Sequence, residues 1–218
     1  DSGLVRLLRN WFNPGFLVLE PIDWSTPANI LEKIIAYEAV HEITSWEDLR
    51  ARLAPEDRRC FAFFHPAMPN EPLIFVEVAL TTDIPQRIDN VLALNRDADA
   101  ANAATTAVFY SISNCQSGLA GISFGNFLIK RVASQLRQEL PNLSRFVTLS
   151  PVLGLMKWMK TVKPGLASKF TDIDEGFWSE EAGKLQTEFT RAALEYLTVS
   201  DRRDGLPNDP VARFHLGN

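Results

Sequence analysis

The chain has 218 residues, 46% hydrophobic and 22% charged, a balance typical of a folded soluble protein. Its net charge of −5 argues against a nucleic-acid or membrane-surface binder, so an anionic ligand would need a local positive site. No apolar run approaches the roughly 18 residues of a membrane span. The chain has only two cysteines, Cys60 and Cys115, and so low a number suggests a reducing compartment rather than a disulfide scaffold.

The first sixty residues predict three helices and one strand. Residues 4–11 carry a short apolar stripe at helical spacing, and residues 16–20 are typical of a strand. A second helix is expected after residues 25–27, with a serine or threonine cap and Pro27 in its first turn. A third, over residues 46–53, begins with the capping-box pattern that starts at Ser45.

The middle of the chain predicts strands. Residues 60–64 and 73–80 are dense in aromatic and β-branched residues, and a proline-rich stretch separates them, so we expect a β-hairpin. Residues 107–113 form the next predicted strand. The segment 114–125 that follows contains Gly118, Gly121 and Gly125, which indicates a loop with unusual backbone freedom.

The clearest helix is predicted over residues 126–140, where a leucine or valine recurs every four residues. A strand over residues 143–149 follows and ends at Ser150 and Pro151. The remainder is expected to be helical except for a loop at 163–168 and a charged Gly/Pro loop at 201–210. A largely antiparallel sheet containing one strand–loop–helix–strand unit is an α+β fold.

The glycine loop supports two interpretations. Free backbone N–H groups beside the positive end of a helix dipole make a phosphate-binding site. The spacing matches neither the P-loop nor the dinucleotide fingerprint, which argues against ATP and NAD. The alternative is a turn whose glycines only allow the helix and the sheet to pack closely, and the local sequence leaves both open.

A serine hydrolase is a second alternative. Residues 121–125 fit the G-x-S-x-G nucleophile elbow around Ser123, and Asp209 and His215 follow in hydrolase order. Against it, an elbow should follow its strand directly, whereas seven residues intervene here, and no HGGG-type oxyanion loop is present. By spacing alone, His215 and Ser150 have structural interpretations too, Ser150 as a cap for the turn before Pro151.

Three stretches together resemble malonyl-CoA decarboxylases, and the resemblance covers nearly the whole chain. They are residues 64–73 with 78–81, residues 109–113 with Gln116, 118–119 and 125–132, and residues 149–151 with 208–216. The family combines an N-terminal helical domain with a catalytic domain related to GNAT acetyltransferases. The resemblance implies that residues 1–218 are one GNAT-like acyl-CoA-binding catalytic domain, a fragment of a longer chain without most of the helical domain and the C-terminal end.

The resemblance also implies the site. The acyl-CoA loop corresponds to Ala120, Gly121, Ile122, Ser123, Phe124, Gly125 and Asn126. Ser150 corresponds to the catalytic serine and His215 to the catalytic histidine, and both are expected to contact the acyl-CoA. Two positions depart from the family pattern: Ser123 replaces an acidic residue of the animal enzymes, and Leu153 replaces the second proline of the serine motif.

The implied function is decarboxylation of malonyl-CoA to acetyl-CoA and CO2, with no metal and no other cofactor. In a GNAT fold, the strands at 109–113 and 143–149 separate, the pantetheine lies in the gap, and the pyrophosphate binds the loop. An acyltransferase and a non-catalytic acyl-CoA sensor are further alternatives with the same fold. We expect a homo-oligomer with no nucleic-acid or membrane partner. The expected location is the bacterial cytoplasm or, in a eukaryote, an organelle matrix, and no targeting segment opens the chain.

Overall fold

The computed structural model of the protein describes residues 2–93, 101–119, 122, 124–171, 180–199 and 202–216. The chain divides into two compact units, Asp1–Ser150 and Pro151–Asn218. The first contains a five-stranded sheet with helices, and the described part of the second is helical.

The strands of the first unit lie side by side in chain order. They are β1 (Val18–Pro21), β2 (Arg58–His65), β3 (Met68–Thr81), β4 (Thr106–Asn114) and β5 (Arg145–Thr148). The neighbours from β1 to β4 are antiparallel, whereas β4 and β5 are parallel. The predicted α+β class is confirmed, because the single parallel pair is joined by the predicted loop and helix.

Helices account for most of the remaining described residues. The first unit has α1 (Ser2–Trp11), α2 (Ala28–Tyr37), α3 (Trp46–Leu53), α4 (Ile88–Leu92) and α5 (Gly125–Glu139). The second has α6 (Leu155–Val162), α7 (Pro164–Thr171), α8 (Glu180–Thr198) and α9 (Pro210–Leu216). Short 3-10 turns occupy Pro14–Phe16 and Ser117–Leu119.

Hydrophobic side chains cover both faces of the sheet. On one face, α5 buries Leu128, Val132 and Leu136 against alternate residues of β2 and β3. On the other, α2 and α3 pack against the intervening residues of the same strands. Because both faces are covered, β2 and β3 contain nearly continuous apolar runs, which explains why their sequence lacks clean alternation.

Three local predictions need correction. The hairpin forms, but β3 begins at Met68 and runs through Pro69 and Pro72, since register shifts near Phe64 accommodate prolines that cannot donate to the ladder. The loop predicted at 163–168 is wrong, because Pro164 instead opens α7, where its missing N–H costs nothing.

The predicted side-chain cap of α2 is also wrong. Pro27 holds the N-cap position, and no side-chain hydrogen bond caps the helix. Thr26 instead accepts a bond from the N–H of Asp23 in the preceding turn. One of the two hydrogen bonds of the predicted capping box at α3 is confirmed: the Ser45 hydroxyl accepts the N–H of Asp48 at 3.1 Å. The Asp48 carboxylate accepts the N–H of Thr44 instead of that of Ser45.

Candidate active site

The parallel strands β4 and β5 pair over only part of their length. Their register runs from Thr106 opposite Arg145 to Phe109 opposite Thr148, and the N–H of Leu149 then donates to the carbonyl of Phe109 at 2.9 Å. Within the described residues, β4 continues for five residues, Tyr110–Asn114, with no β5 partner. We call these five residues the β4 extension. The end of pairing agrees with the predicted separation of the two strands.

A β-bulge marks the start of the β4 extension. Val78 of β3 pairs with Phe109, whereas the preceding Glu77 pairs with Ser111, so Tyr110 is the extra residue. A bulge bends its strand and increases the local twist. Here it lies at the residue where β4 loses its partner on the β5 side.

Ser150 directly follows Leu149, one residue beyond the last bond between β4 and β5. Its side chain is half-buried. Residues just beyond the carboxyl ends of parallel strands commonly form binding sites. Ser150 is therefore at the beginning of the β4 extension, where the family resemblance puts the catalytic serine.

The loop before α5 ends at Phe124, a buried residue. Phe124 holds the N-cap position, and no side-chain hydrogen bond caps the helix, which begins with the buried Gly125. The first N–H groups of such a helix, at the positive end of its dipole, suit a phosphate. Ile122, Phe124, Gly125 and Asn126 of the predicted acyl-CoA loop are described, whereas Ala120, Gly121 and Ser123 lie outside the described residues.

A cavity of about 440 Å³ joins the end of the β4 extension to this helix start. Its lining includes Tyr37 and Leu73 from the neighbouring elements, Asn114 at the end of the β4 extension, Gln116 beyond it, and Phe124. The lining mixes the apolar Leu73 and Phe124 with the polar Asn114 and Gln116, and converging polar groups in a pocket orient a bound ligand. The cavity lies within the first unit and adjoins the two features on which acyl-CoA binding was predicted.

The β4 extension is held against α2 by one carboxylate. Glu38, at the C-terminal end of α2, accepts hydrogen bonds from the hydroxyls of Ser111 (2.7 Å) and Ser113 (3.1 Å). The same side chain accepts the N–H groups of Val40 (2.9 Å) and His41 (2.7 Å). Charge-assisted bonds of this kind are the stronger ones, so Glu38 fixes the β4 extension although β5 does not. No motif around Glu38 predicts this role.

A second buried carboxylate lies beneath the bulge. Glu77 of β3 is fully buried and accepts a hydrogen bond from the Arg52 guanidinium at 3.0 Å. Burial raises the pKa of Glu77 from 4.5 to about 7, partly opposed by the positive charge of Arg52. Burial also raises the pKa of Tyr110 well above its usual value, and the Glu77 charge adds to that rise.

His215 lies in α9 of the second unit and is half-buried. Burial lowers the pKa of this imidazole below its usual 6.5, so the neutral form predominates at pH 7. The ring contacts Phe214 edge to face, with 5.0 Å between centroids. Since Ser150 and His215 belong to different units, the prediction that they act together is not tested by this arrangement.

Asp209, the acid of the hydrolase alternative, has a different role. One oxygen of its carboxylate accepts the N–H groups of Val211 and Ala212, both at 2.9 Å, which caps α9. The other accepts the hydroxyl of Tyr196 at 2.7 Å. Both oxygens are thus engaged away from a histidine, which weakens the triad. The pair Asp209-Pro210 is a cap followed by proline at the first helical position, the signal that predicts this role.

The described residues contain neither a metal-binding cluster nor a membrane-spanning helix. No group of three or more His, Cys, Asp or Glu side chains there is arranged to hold a metal ion. None of the helices in the described ranges has the length and apolar character needed to cross a membrane.

Comparison with known proteins gives consistent matches. Residues 15–218 match the family model described as malonyl-CoA decarboxylase C-terminal domain. The mitochondrial malonyl-CoA decarboxylase of Anser anser anser is 37% identical, with the alignment covering 100% of this chain and 49% of that protein. The crystal structure of malonyl-CoA decarboxylase from Rhodopseudomonas palustris is 53% identical, with a TM-score of 0.89, covering 100% of this chain and 56% of that one.

A more distant structure is similar in fold alone. The loading GNATL domain of CurA from Lyngbya majuscula has a TM-score of 0.52 at 13% identity, covering 92% of this chain and 82% of that one. The chain spans about half the length of the curated relatives that it matches.

Proposed function

The chain belongs to the malonyl-CoA decarboxylase family, and we propose that its protein converts malonyl-CoA to acetyl-CoA and CO2 through a thioester enolate. The observation that carries the proposal is the end of β4–β5 pairing at Phe109 and Leu149, with Ser150 as the next residue. This leaves an open strand edge, the β4 extension, between Ser150 and the cavity at the head of α5.

In the proposed binding mode, the acyl-CoA follows this edge. The pyrophosphate binds the first turn of α5, where the helix dipole and unshared N–H groups favour an anion. Gly125 and Asn126 begin this helix and Phe124 caps it, while Ala120, Gly121, Ile122 and Ser123 are the other residues of the acyl-CoA loop that the family resemblance implies. The pantetheine extends along the β4 extension, which brings the thioester to Ser150. A local positive site of this kind suits a chain whose net charge is −5.

In the proposed chemistry, the thioester of the substrate itself accepts the electron pair that CO2 leaves behind. The bond between C2 and the carboxylate carbon breaks, CO2 leaves, and the electron pair is delocalised from C2 into the thioester carbonyl. His215 then donates a proton to C2 and recovers one from solvent, so one proton is consumed for each acetyl-CoA formed. Ser150 donates a hydrogen bond near the substrate carboxylate, and no covalent intermediate forms. In this mechanism neither a metal nor an organic cofactor takes part.

General magnitudes indicate how much His215 and Ser150 could contribute to the rate. General acid catalysis contributes about 10²- to 10⁴-fold, and one well-placed oxyanion donor is worth roughly 3–4 kcal/mol. The burial that lowers the pKa of His215 makes its imidazolium a stronger acid toward C2, at the cost of a smaller protonated fraction at pH 7.

The experiment is to incubate the full-length protein with malonyl-CoA and identify the products by mass. We expect acetyl-CoA and CO2 in equal amounts. Free malonate with CoA would favour the hydrolase, release of CoA only when an amine acceptor is added would favour an acyltransferase, and bound but unchanged malonyl-CoA would indicate a sensor. A homo-oligomer, in a bacterial cytoplasm or organelle matrix, is proposed alongside, and light scattering of the full-length protein tests its assembly.

A further inference from the structure

The helix that carries His215 begins at a carboxylate buried within the second unit. Asp209 is 3% exposed. Its Oδ1 accepts the N–H groups of Val211 and Ala212, both at 2.9 Å. These bonds satisfy backbone N–H groups of the first turn that have no partner within the helix. They therefore fix the start of α9 and its rotation about the helix axis.

The other oxygen of that carboxylate is bound by a tyrosine from α8. The Tyr196 hydroxyl donates to Asp209 Oδ2 at 2.7 Å. The Tyr196 ring packs against Trp158 of α6, with 5.5 Å between centroids. Burial, and then the Asp209 carboxylate, raise the pKa of Tyr196 to about 12, so the hydroxyl keeps its proton for this bond at neutral pH.

A glycine makes room for that hydroxyl. A Cβ added at Gly154 would lie 2.0 Å from the Tyr196 oxygen and 3.1 Å from its Cζ. Real Cβ atoms essentially never approach so closely, so any side chain at this position must displace the tyrosine. Gly154 immediately precedes α6 and is four residues after Ser150 in the chain.

We propose that Tyr196 and Asp209 are positioning residues for His215, with Gly154 providing the space that their hydrogen bond requires. His215 is six residues beyond Asp209 on a seven-residue helix, so a change at the cap moves the imidazole. Misplacement of a catalytic group by about 1 Å is enough to cost on the order of 10²-fold in rate. The inference rests on the proposed function, in which His215 protonates C2.

The hydroxyl is tested by Tyr196→Phe, which keeps the ring against Trp158 and removes only the bond to Asp209. In the full-length protein we expect kcat for malonyl-CoA to fall about 10-fold, with KM and CoA affinity unchanged. Thr198→Ala is the matched control: it removes another hydroxyl from α8, one that donates within that helix to the Leu194 and Glu195 carbonyls. This control should keep wild-type kcat.

The carboxylate is tested by a pair of substitutions. Asp209→Asn should retain most of kcat, because the asparagine carbonyl can accept the N–H groups of the first turn while its amide N–H donates to the Tyr196 oxygen. Asp209→Ala should lose kcat by about as much as Tyr196→Phe or more. A purely structural role would lower the melting temperature of Asp209→Ala while the folded fraction kept normal kcat, which would overturn the proposal.

Gly154 supplies the sharpest comparison. Gly154→Ala should lower kcat because the methyl group displaces the Tyr196 hydroxyl. Adding Tyr196→Phe removes the atom at 2.0 Å, so the double variant should be no worse than Tyr196→Phe alone. Additive losses in the double variant would contradict the proposed contact.

A readout independent of turnover separates this inference from the proposed function. The ring signals of isotope-labelled His215 should shift in Tyr196→Phe and Asp209→Ala but not in Thr198→Ala. If the wild-type protein does not decarboxylate malonyl-CoA but these signals shift, the proposed function fails and the positioning stands. If the wild type is active and both variants keep normal kcat and unshifted His215 signals, the positioning inference fails alone.

Discussion

The backbone N–H of Leu149 donates to the carbonyl of Phe109 at 2.9 Å, one residue before Ser150. Beyond this bond the parallel pair ends, and a bulge at Tyr110 opens the β4 extension. The position of Ser150 therefore follows from the length of a four-residue strand, β5, and not from a local motif.

The first prediction compares the two serines. Ser150→Ala should lose most turnover, on the order of 2–4 kcal/mol of transition-state stabilisation, because its hydroxyl acts at the substrate carboxylate. Ser123→Ala should mainly weaken substrate binding, since a phosphate loop uses backbone N–H groups. Steady-state kinetics of both variants measure this. An inactive Ser123→Ala, a near-normal Ser150→Ala and fluorophosphonate labelling of Ser123 would make the protein a hydrolase.

The second prediction concerns the proton donor. His215→Ala should reduce kcat by about 10²-fold or more, because protonation of C2 loses its general acid. Affinity for CoA should change little, since the proposed pyrophosphate site is at the head of α5. Single-turnover kinetics with a separate CoA titration measure the two effects, and His65→Ala is a matched control. Normal turnover in His215→Ala would show that His215 is only structural.

The third prediction concerns cofactors. Turnover should survive exhaustive chelation and treatment with avidin, because the thioester itself accepts the electron pair from C2. The measurement is acetyl-CoA formation before and after dialysis against EDTA. Loss of activity that added metal ions restore would rule out the cofactor-free mechanism.

The fourth prediction concerns stability and pH. Glu77 has a folded pKa of about 7 against 4.5 when unfolded, mainly through burial. Between these pH values the folded state holds a proton that the unfolded state has released, so this contribution is full below pH 4.5 and lost as pH rises through 7. The loss is on the order of 3 kcal/mol in the free energy of unfolding.

Glu77→Gln tests this directly, because glutamine is close in shape and does not titrate. Denaturant unfolding at pH 5 and pH 8 should show the variant gaining stability relative to the wild type as pH rises. Glu139→Gln, which removes an exposed partner of Arg59, should show no such trend. A constant difference between Glu77→Gln and the wild type at both pH values would contradict the assigned pKa.

Local pattern was enough to predict most elements. The four-residue period of Leu128, Val132 and Leu136 predicted α5, and Ser45 with Asp48 predicted the start of α3. Both signals depend on residues less than three turns apart, so the chain contains them before it folds. The glycine loop ahead of α5 was predicted in the same way, whereas the roles of Ser150 and His215 come from the family resemblance and stay predictions.

Other features depend on residues distant in sequence, and only the tertiary structure decided them. The prolines of β3 are accommodated by register shifts against β2. Ser150 follows the point where β5 stops pairing with β4, next to the bulge at Tyr110. Glu38 holds the β4 extension from 73 residues away. Asp209 matched a hydrolase acid in the sequence, but the Tyr196 hydroxyl and the first turn of α9 engage its carboxylate. An aspartate in the sequence is compatible with either a triad acid or a helix cap, and the hydrogen-bond donors that surround it after folding determine which it is.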